Sequence, residues 1–165
     1  MPDATALRNS GAPGAARLLS PYTGALAWQF AVWRKGGDMN DPTRQLIERY
    51  WPTMNGNDFG AVGELLHDDF VLDYPQSGER VRGREHNTLI NERYPSPGPW
   101  SLSVERLLVS DAEAVSDVRV RGAEFDGRVI SFFEIRAGRI WCMTEYWPEP
   151  FAAPIWRTAW VERIP

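Results

Sequence analysis

The second half of this chain of 165 residues is a succession of short runs in which apolar and polar residues alternate. Turns rich in Asp and Gly separate these runs, and the tightest, Ala137-Gly138, predicts a hairpin. An antiparallel meander needs a second layer on one face, because the apolar face of a sheet must be buried. The four predicted strands cover residues 100–109, 114–121, 128–136 and 139–147.

The first half supplies that layer as helices. Asp41 is a good N-cap, Pro42 suits the first helical position, and Asn55-Gly56 should end the helix. Helices first and a meander after predict an α+β fold, with three N-terminal helices packed on an antiparallel sheet. The remaining predicted elements are a short helix after Asp58, a strand at 70–74 and a third helix at about 84–94.

Composition excludes several classes of function. A net charge of −4 argues against binding to nucleic acid or to an anionic membrane. The single Cys142 excludes an internal disulfide, and with only His67 and His86 beside it the chain lacks an ordinary structural zinc site. We therefore expect no metal and no other cofactor. Eight Trp residues indicate that large rings line a core, a pocket or a partner surface.

Three segments differ in character. Residues 1–38 are broken by Gly and Pro without periodicity and are expected to form a poorly ordered N-terminal extension. The apolar run 18–33 is too short and too interrupted for a membrane span or a typical export signal, so we expect a cytoplasmic protein. The folded domain should cover 39–147. The aromatic tail, 148–165, is interrupted by prolines but too apolar to stay in solvent, so it should pack on the domain, where it could form a lid, or on a dimer partner.

Five short segments stand in a characteristic order and spacing: Glu48-Arg-Tyr50, Asn57-Asp-Phe59, 67–71, 77–83 and 138–147. Together with the order of the elements, they resemble the SnoaL-like and NTF2-like superfamily, which includes polyketide cyclases, ketosteroid isomerases and limonene-epoxide hydrolases. That resemblance implies a cone in which the helices and a curved sheet enclose one apolar pocket, and it favours a homodimer formed through the convex sheet face. The superfamily contains both catalysts and non-catalysts, so the fold leaves the function open.

The resemblance also implies two catalytic residues. Glu145 matches the position of the catalytic Asp of SnoaL-like cyclases, and Tyr50 matches the oxyanion-donating Tyr of ketosteroid isomerases. A carboxyl group among apolar rings should have a raised pKa and could exchange protons near neutral pH. Glu is a methylene longer than Asp, however, so a solvated Glu145, or one paired with Arg157, is the competing interpretation. For Tyr50 the competing role is that of a core residue.

Strand alternation predicts which other residues face the pocket. On 139–147 alternation separates odd-numbered from even-numbered residues, and the resemblance implies that the odd-numbered set faces the pocket. On 114–121 the valines should point inward, which places Asp117, Arg119 and Arg121 in an outer charge ladder with Glu134 and Arg136. The predicted substrate-binding residues are Trp51, Met54, Tyr74, Val118, Val120, Ser131, Phe133, Trp141, Met143 and Trp147.

Three functions remain open from the sequence. The leading hypothesis is cofactor-independent proton transfer (cyclisation, isomerisation or hydration) on a hydrophobic small molecule. The alternatives are a non-catalytic ligand carrier and an interaction module whose cone is filled. Epoxide hydrolysis is disfavoured, because it needs Asp117 and Arg119 to face inward. Steroid isomerase chemistry is disfavoured as well, because Tyr74 and Ser131 stand where it needs two Asp residues.

Overall fold

Six strands form one curved, unclosed sheet in the order β2-β1-β6-β5-β4-β3. The computed structural model describes residues 40–95 and 97–164, so the predicted extension over 1–38 lies outside the described residues. The helices are α1 (Pro42–Asn55), α2 (Phe59–Gly63) and α3 (Arg84–Glu92), with a 3-10 helix over Ile155–Trp160. The strands are β1 (Leu66–Tyr74), β2 (Glu79–Arg82), β3 (Ser101–Ser110), β4 (Glu113–Arg121), β5 (Asp126–Arg136) and β6 (Arg139–Tyr146).

The predicted local signals are found at α1 and at the last hairpin. The Asp41 carboxylate accepts the backbone N–H groups of Thr43 and Arg44, which satisfies two of the free donors at the start of α1. At the β5–β6 turn, Ala137 and Gly138 both have positive φ, 50° and 73°. Positive φ at both central residues is what a two-residue hairpin turn of matching twist requires. The predicted α+β architecture is therefore confirmed.

Two features of the sheet differ from the prediction. Residues 79–82, for which no element was predicted, form the edge strand β2 and pair with the end of β1. β1 also runs parallel to β6, so the sheet is not purely antiparallel. β2 is four residues long with only Val81 buried, which is too short a run to give a periodic signal. The parallel pairing joins strands far apart in sequence, and no local pattern encodes it.

The charges on β4 face outward as predicted, but their partners differ. Val118 and Val120 are buried. Asp117 pairs with Arg128 at 3.0 Å between Oδ1 and Nε, and Arg119 pairs with Asp126 through two hydrogen bonds of 2.7 and 2.8 Å. The expected partners Glu134 and Arg136 lie further along β5, where Glu134 is opposite Glu113.

A β-bulge in β6 overturns part of the predicted alternation. Ile135 pairs with Ile140 while Glu134 pairs with Cys142, so Trp141 is one residue too many for the ladder. Ile140, predicted to face outward, is fully buried, and the inward side chains then resume at Met143. Trp141, predicted to line the pocket, instead lies beneath the exposed Arg136, whose guanidinium carbon is 5.2 Å from the ring centroid.

The C-terminal segment leaves most of its large apolar side chains exposed. None of the residues of the 3-10 helix is buried. Five large apolar side chains in this segment are between 75% and 90% exposed: Phe151, Ile155, Trp156, Trp160 and Ile164. That the tail packs on the domain or on a dimer partner stays a prediction. None of the described helices is long and apolar enough to cross a membrane.

Candidate functional site

Glu145 is the one charged residue that is buried in the described part of the chain, with 7% of its surface exposed. It lies near the end of β6, directly opposite Ser131 on β5. The Ser131 hydroxyl donates to Glu145 Oε1 at 3.2 Å, and the Trp147 side chain makes a second hydrogen bond to the carboxyl group. β5, β6 and the residue after β6 thus hold this carboxyl group in place with two neutral donors.

The environment of Glu145 favours its neutral form. Burial raises the pKa of the Glu145 carboxyl to about 7, although the hydrogen bonds from Ser131 and Trp147 act in the opposite direction. No Lys, Arg or His side chain forms an ion pair with it in residues 40–95 or 97–164, so the predicted alternative of a pair with Arg157 is not formed. A carboxyl group of this kind can both accept and donate a proton near neutral pH.

Two tyrosines share this part of the core. Tyr50 of α1 is buried and meets Trp51 and Phe133 edge to face, at centroid distances of 5.0 and 5.7 Å. Burial, and then the charge of Glu145, raise the pKa of Tyr50 well above its usual value. The same two causes raise the pKa of the half-buried Tyr74. Both phenols therefore keep their protons and are available as hydrogen-bond donors.

Most of the residues predicted to bind substrate lie together on the inner side of the sheet or on α1. Tyr74 and Trp147 are only partly buried and pack against the core. The Trp51 indole donates to the buried Ser116 hydroxyl at 3.2 Å, which fixes the ring. The buried members of the predicted set are Trp51, Met54, Val118, Val120, Ser131, Phe133 and Met143. Trp141 alone is displaced from this group, by the bulge described above.

Two of the predicted pocket residues, Val120 and Trp147, line an aromatic cavity whose other four residues the sequence did not predict. Its volume is about 20 Å³, enough for little more than one water molecule. Trp147 connects it to Glu145, because the same indole lines the cavity and hydrogen-bonds the carboxyl group. The residues that line the aromatic cavity are Tyr94, Trp100, Val120, Gly122, Phe125 and Trp147.

Phe125 closes one side of the aromatic cavity by lying on a glycine. A Cβ atom on Gly127 would lie 2.2 Å from Phe125 Cζ, so the ring occupies the place of the missing side chain. The ring also faces Trp147 at a centroid distance of 6.1 Å. Phe125 lies in the turn between β4 and β5, where its carbonyl accepts the Gly122 N–H at 2.7 Å. A glycine within a strand often marks such a close approach, and this was the available sequence signal.

In the described residues no three His, Cys, Asp or Glu side chains converge in a way that could hold a metal ion. The predicted charged alternatives are also dispersed. Asp117 and Arg119 form their ion pairs on the outer face, and Asp73 pairs with Arg80 at 2.6 Å. Among the described residues, Glu145 is therefore the single carboxyl group that the inner side offers for chemistry.

Comparison with known proteins gives the family. The model of the SnoaL-like domain family matches residues 47–143, and the chain belongs to that family. A search of curated proteins found no match. A protein of Kribbella flavida with a provisional ketosteroid isomerase name is 32% identical, with a TM-score of 0.71 over 75% of this chain and 90% of that one.

Two further solved structures are similar. An NTF2-like protein of unknown function from Burkholderia xenovorans is 28% identical, with a TM-score of 0.65 over 78% of this chain and 100% of that one. A provisionally named SnoaL-like polyketide cyclase from Jannaschia is 17% identical, with a TM-score of 0.60 over 69% of this chain and 90% of that one. At this lower identity the likeness shows the fold alone.

The raised pKa of Glu145 should make stability depend on pH. Below about pH 4.5 the Glu145 carboxyl group is protonated in both the folded and the unfolded chain. Between pH 4.5 and pH 7 only the folded chain keeps this proton. The contribution of Glu145 to the free energy of unfolding therefore falls as the pH rises. Above pH 7 the loss should reach about 3 kcal/mol. Glu145→Gln cannot ionise, so urea unfolding should show it gaining that amount over wild type between about pH 4.5 and pH 8. Matching pH profiles for Glu145→Gln and wild type would contradict a buried ionisable Glu145, and exposed Glu134→Gln is the control.

The contact between Phe125 and Gly127 can be tested by a double-mutant cycle. Gly127→Ala should displace the ring and lower the free energy of unfolding by roughly 1 kcal/mol, because only a side-chain end must move. In a Phe125→Ala background the same change should cost nothing, since the space is already empty. Equal costs in both backgrounds, measured by urea unfolding, would show that the ring does not occupy that place.

Proposed function

We propose that this protein is a small-molecule pocket protein that catalyses cofactor-independent proton transfer on a hydrophobic substrate, with Glu145 as the acid/base. The observation that carries the proposal is the burial of Glu145 without an ion pair, beside two neutral hydrogen-bond donors. A buried carboxyl group with a pKa of about 7 is costly for folding, and such groups cluster at functional sites.

Glu145 and the residues around it would have different roles in such a reaction. Glu145 would remove a proton from a carbon next to a carbonyl group and return it elsewhere on the substrate, which covers isomerisation and cyclisation. Ser131 and Trp147 hold the carboxyl group, so its direction is set before a substrate arrives. Tyr50, with its proton retained, would donate to the oxygen on which negative charge develops.

The arrangement disfavours the chemistry of two better-understood relatives. An epoxide hydrolase of the limonene type needs two carboxylates bridged by an Arg, but Asp117 and Arg119 form their ion pairs on the outer face. The ketosteroid isomerase arrangement needs two further Asp residues, where this chain has Tyr74 and Ser131. One carboxyl group suffices for proton transfer to and from carbon, and this reaction class therefore has the better support.

Solvent hydrogen exchange tests the proposal on simple ketones that stand in for the natural substrate. A panel of cyclic ketones in D₂O, followed by NMR, should show faster exchange at the α-carbon of at least one ketone with wild-type protein. Glu145→Gln should lower that rate by roughly 100-fold, the usual contribution of a positioned general base. Glu134→Gln, an exposed acid on the paired strand, should keep the wild-type rate.

Two results would count against catalysis by Glu145. A Glu145→Gln protein that exchanges as fast as wild type removes the assigned base. Saturable binding of a ketone without any exchange in the wild type would instead support the non-catalytic carrier. Glu145→Asp separates position from chemistry, because it keeps the carboxyl group but withdraws it by one methylene.

We also propose that the protein forms a homodimer through the outer face of the sheet. Phe132 and Tyr146 are 46% and 39% exposed there and contact each other at a centroid distance of 6.1 Å. The partly buried Val115 and Leu108 continue the same row across β4 and β3. An exposed apolar row, in a chain that also carries a tail of exposed aromatic residues, is typical of a surface covered by a partner.

A charge placed in that row should break the dimer. Phe132→Glu should convert a dimer to a monomer at micromolar concentration, as measured by size-exclusion chromatography with light scattering, because the carboxylate would be buried unpaired. Ile90→Glu, an equivalent change at an exposed position of α3, should leave the dimer intact. A monomeric wild type, or a Phe132→Glu protein that remains dimeric, would contradict this interface.

A further inference from the structure

Four of the six residues that line the aromatic cavity are aromatic, and none of the six is charged. Tyr94 and Trp100 meet edge to face at a centroid distance of 4.6 Å, and Phe125 and Trp147 meet at 6.1 Å with their planes 58° apart. The cavity is therefore bounded by two ring pairs that come from different parts of the chain. Tyr94 and Trp100, which follow α3, form one pair, and the residues next to the start of β5 and the end of β6 form the other.

The faces of aromatic rings carry negative electrostatic potential, and they attract cations that are weakly hydrated. The Glu145 carboxyl group interacts with the side chain of Trp147, which lines the cavity, and it is buried without an ion pair in the described residues. Above its pKa of about 7 this group is a buried charge, and buried charges in proteins are normally paired. The aromatic rings and the carboxylate therefore favour the same kind of ligand, a cation with apolar substituents.

We propose that the aromatic cavity binds a small alkylammonium group, the cationic part of a hydrophobic amine. The ring faces would contact the alkyl groups around the nitrogen, and the Glu145 carboxylate, which interacts with Trp147, would supply the counter-charge. This inference rests on the proposed function only in using the same site; it names the class of ligand and not the reaction. A neutral molecule of equal shape gains the apolar contact but not the electrostatic one.

The present volume of about 20 Å³ is smaller than a trimethylammonium group, so one wall must move when the ligand enters. Phe125 is the side chain placed to do so. It lies in a surface turn, is 45% exposed, and rests on Gly127 without a competing side chain beneath it. An outward swing of this ring enlarges the cavity and leaves Tyr94, Trp100 and Trp147 in place.

A pair of isosteric probes separates charge from shape. Choline and 3,3-dimethylbutan-1-ol differ in one atom, a quaternary nitrogen against a quaternary carbon, and both can be titrated into the full-length protein by NMR. At about pH 8, above the pKa of Glu145, choline should bind roughly 10-fold more tightly than the alcohol. Equal affinities, or no binding of choline to the folded protein, would overturn the proposal.

Variants of the cavity residues show which rings cause the preference for choline over the alcohol. Trp100→Leu and Phe125→Leu keep apolar bulk but remove a ring face, so each should reduce the preference for choline by about 3-fold or more while the alcohol binds as before. Trp156→Leu removes an exposed ring of the tail and should change neither affinity. A preference that survives Trp100→Leu and Phe125→Leu, with circular dichroism showing both folded, would place the cation elsewhere and end the proposal.

The comparison of choline with the alcohol is independent of the ketone-exchange test of catalysis. If choline and the alcohol bind equally while Glu145→Gln abolishes ketone exchange, the ligand class is wrong and the acid/base role stands. If Glu145→Gln leaves exchange unchanged while choline keeps its preference, the alkylammonium site stands without the proposed reaction. Both experiments use the intact chain, and neither depends on the result of the other.

Discussion

The pairing register of β5 with β6 determines where the chemistry of this molecule lies. The two-residue turn at Ala137-Gly138 starts the ladder, and the bulge at Trp141 then advances β6 by one residue. Only with that advance does Glu145 come opposite Ser131, on the inner side of the sheet. Without the bulge, the pairs beyond it would shift by one residue, and since side chains alternate, Glu145 would no longer be matched to a buried Ser. The bulge is therefore part of the site, although it lies several residues from it.

The sequence predicts the local elements well because their signals are local. The N-cap at Asp41, the positive-φ turn at Ala137-Gly138 and the alternation of Val118 and Val120 all depend on neighbouring residues, and the structure has each of them. Alternation read through β6, in contrast, assumes an unbroken ladder. That assumption fails at Trp141, because a bulge is set by the partner strand and by packing and has no fixed residue signature.

The aromatic cavity shows a second limit of sequence reasoning. Its rings are Tyr94 and Trp100 after α3, Phe125 in the β4–β5 turn and Trp147 after β6, and no spacing rule connects these positions. Position in three dimensions gives Trp147 its role, joining the cavity to Glu145. Gly127 was the visible hint, since glycine inside a strand often means that something lies against the backbone. A glycine at this position predicts a close contact with the backbone, but it does not predict that Phe125 makes the contact.

The exposed tail and the buried carboxyl group are two costs that folding alone does not explain. An isolated chain gains nothing by leaving Trp156 and Trp160 in water, and it would be more stable above pH 7 with an uncharged residue at 145. Both unfavourable features, the exposed rings of the tail and the buried carboxyl group, are explained if the protein binds other molecules. A partner chain would cover the aromatic residues, and a ligand would use, or neutralise, the carboxyl group. The two features favour different binding partners. A small ligand could reach the buried carboxyl group, whereas another subunit could cover the exposed rings of the tail.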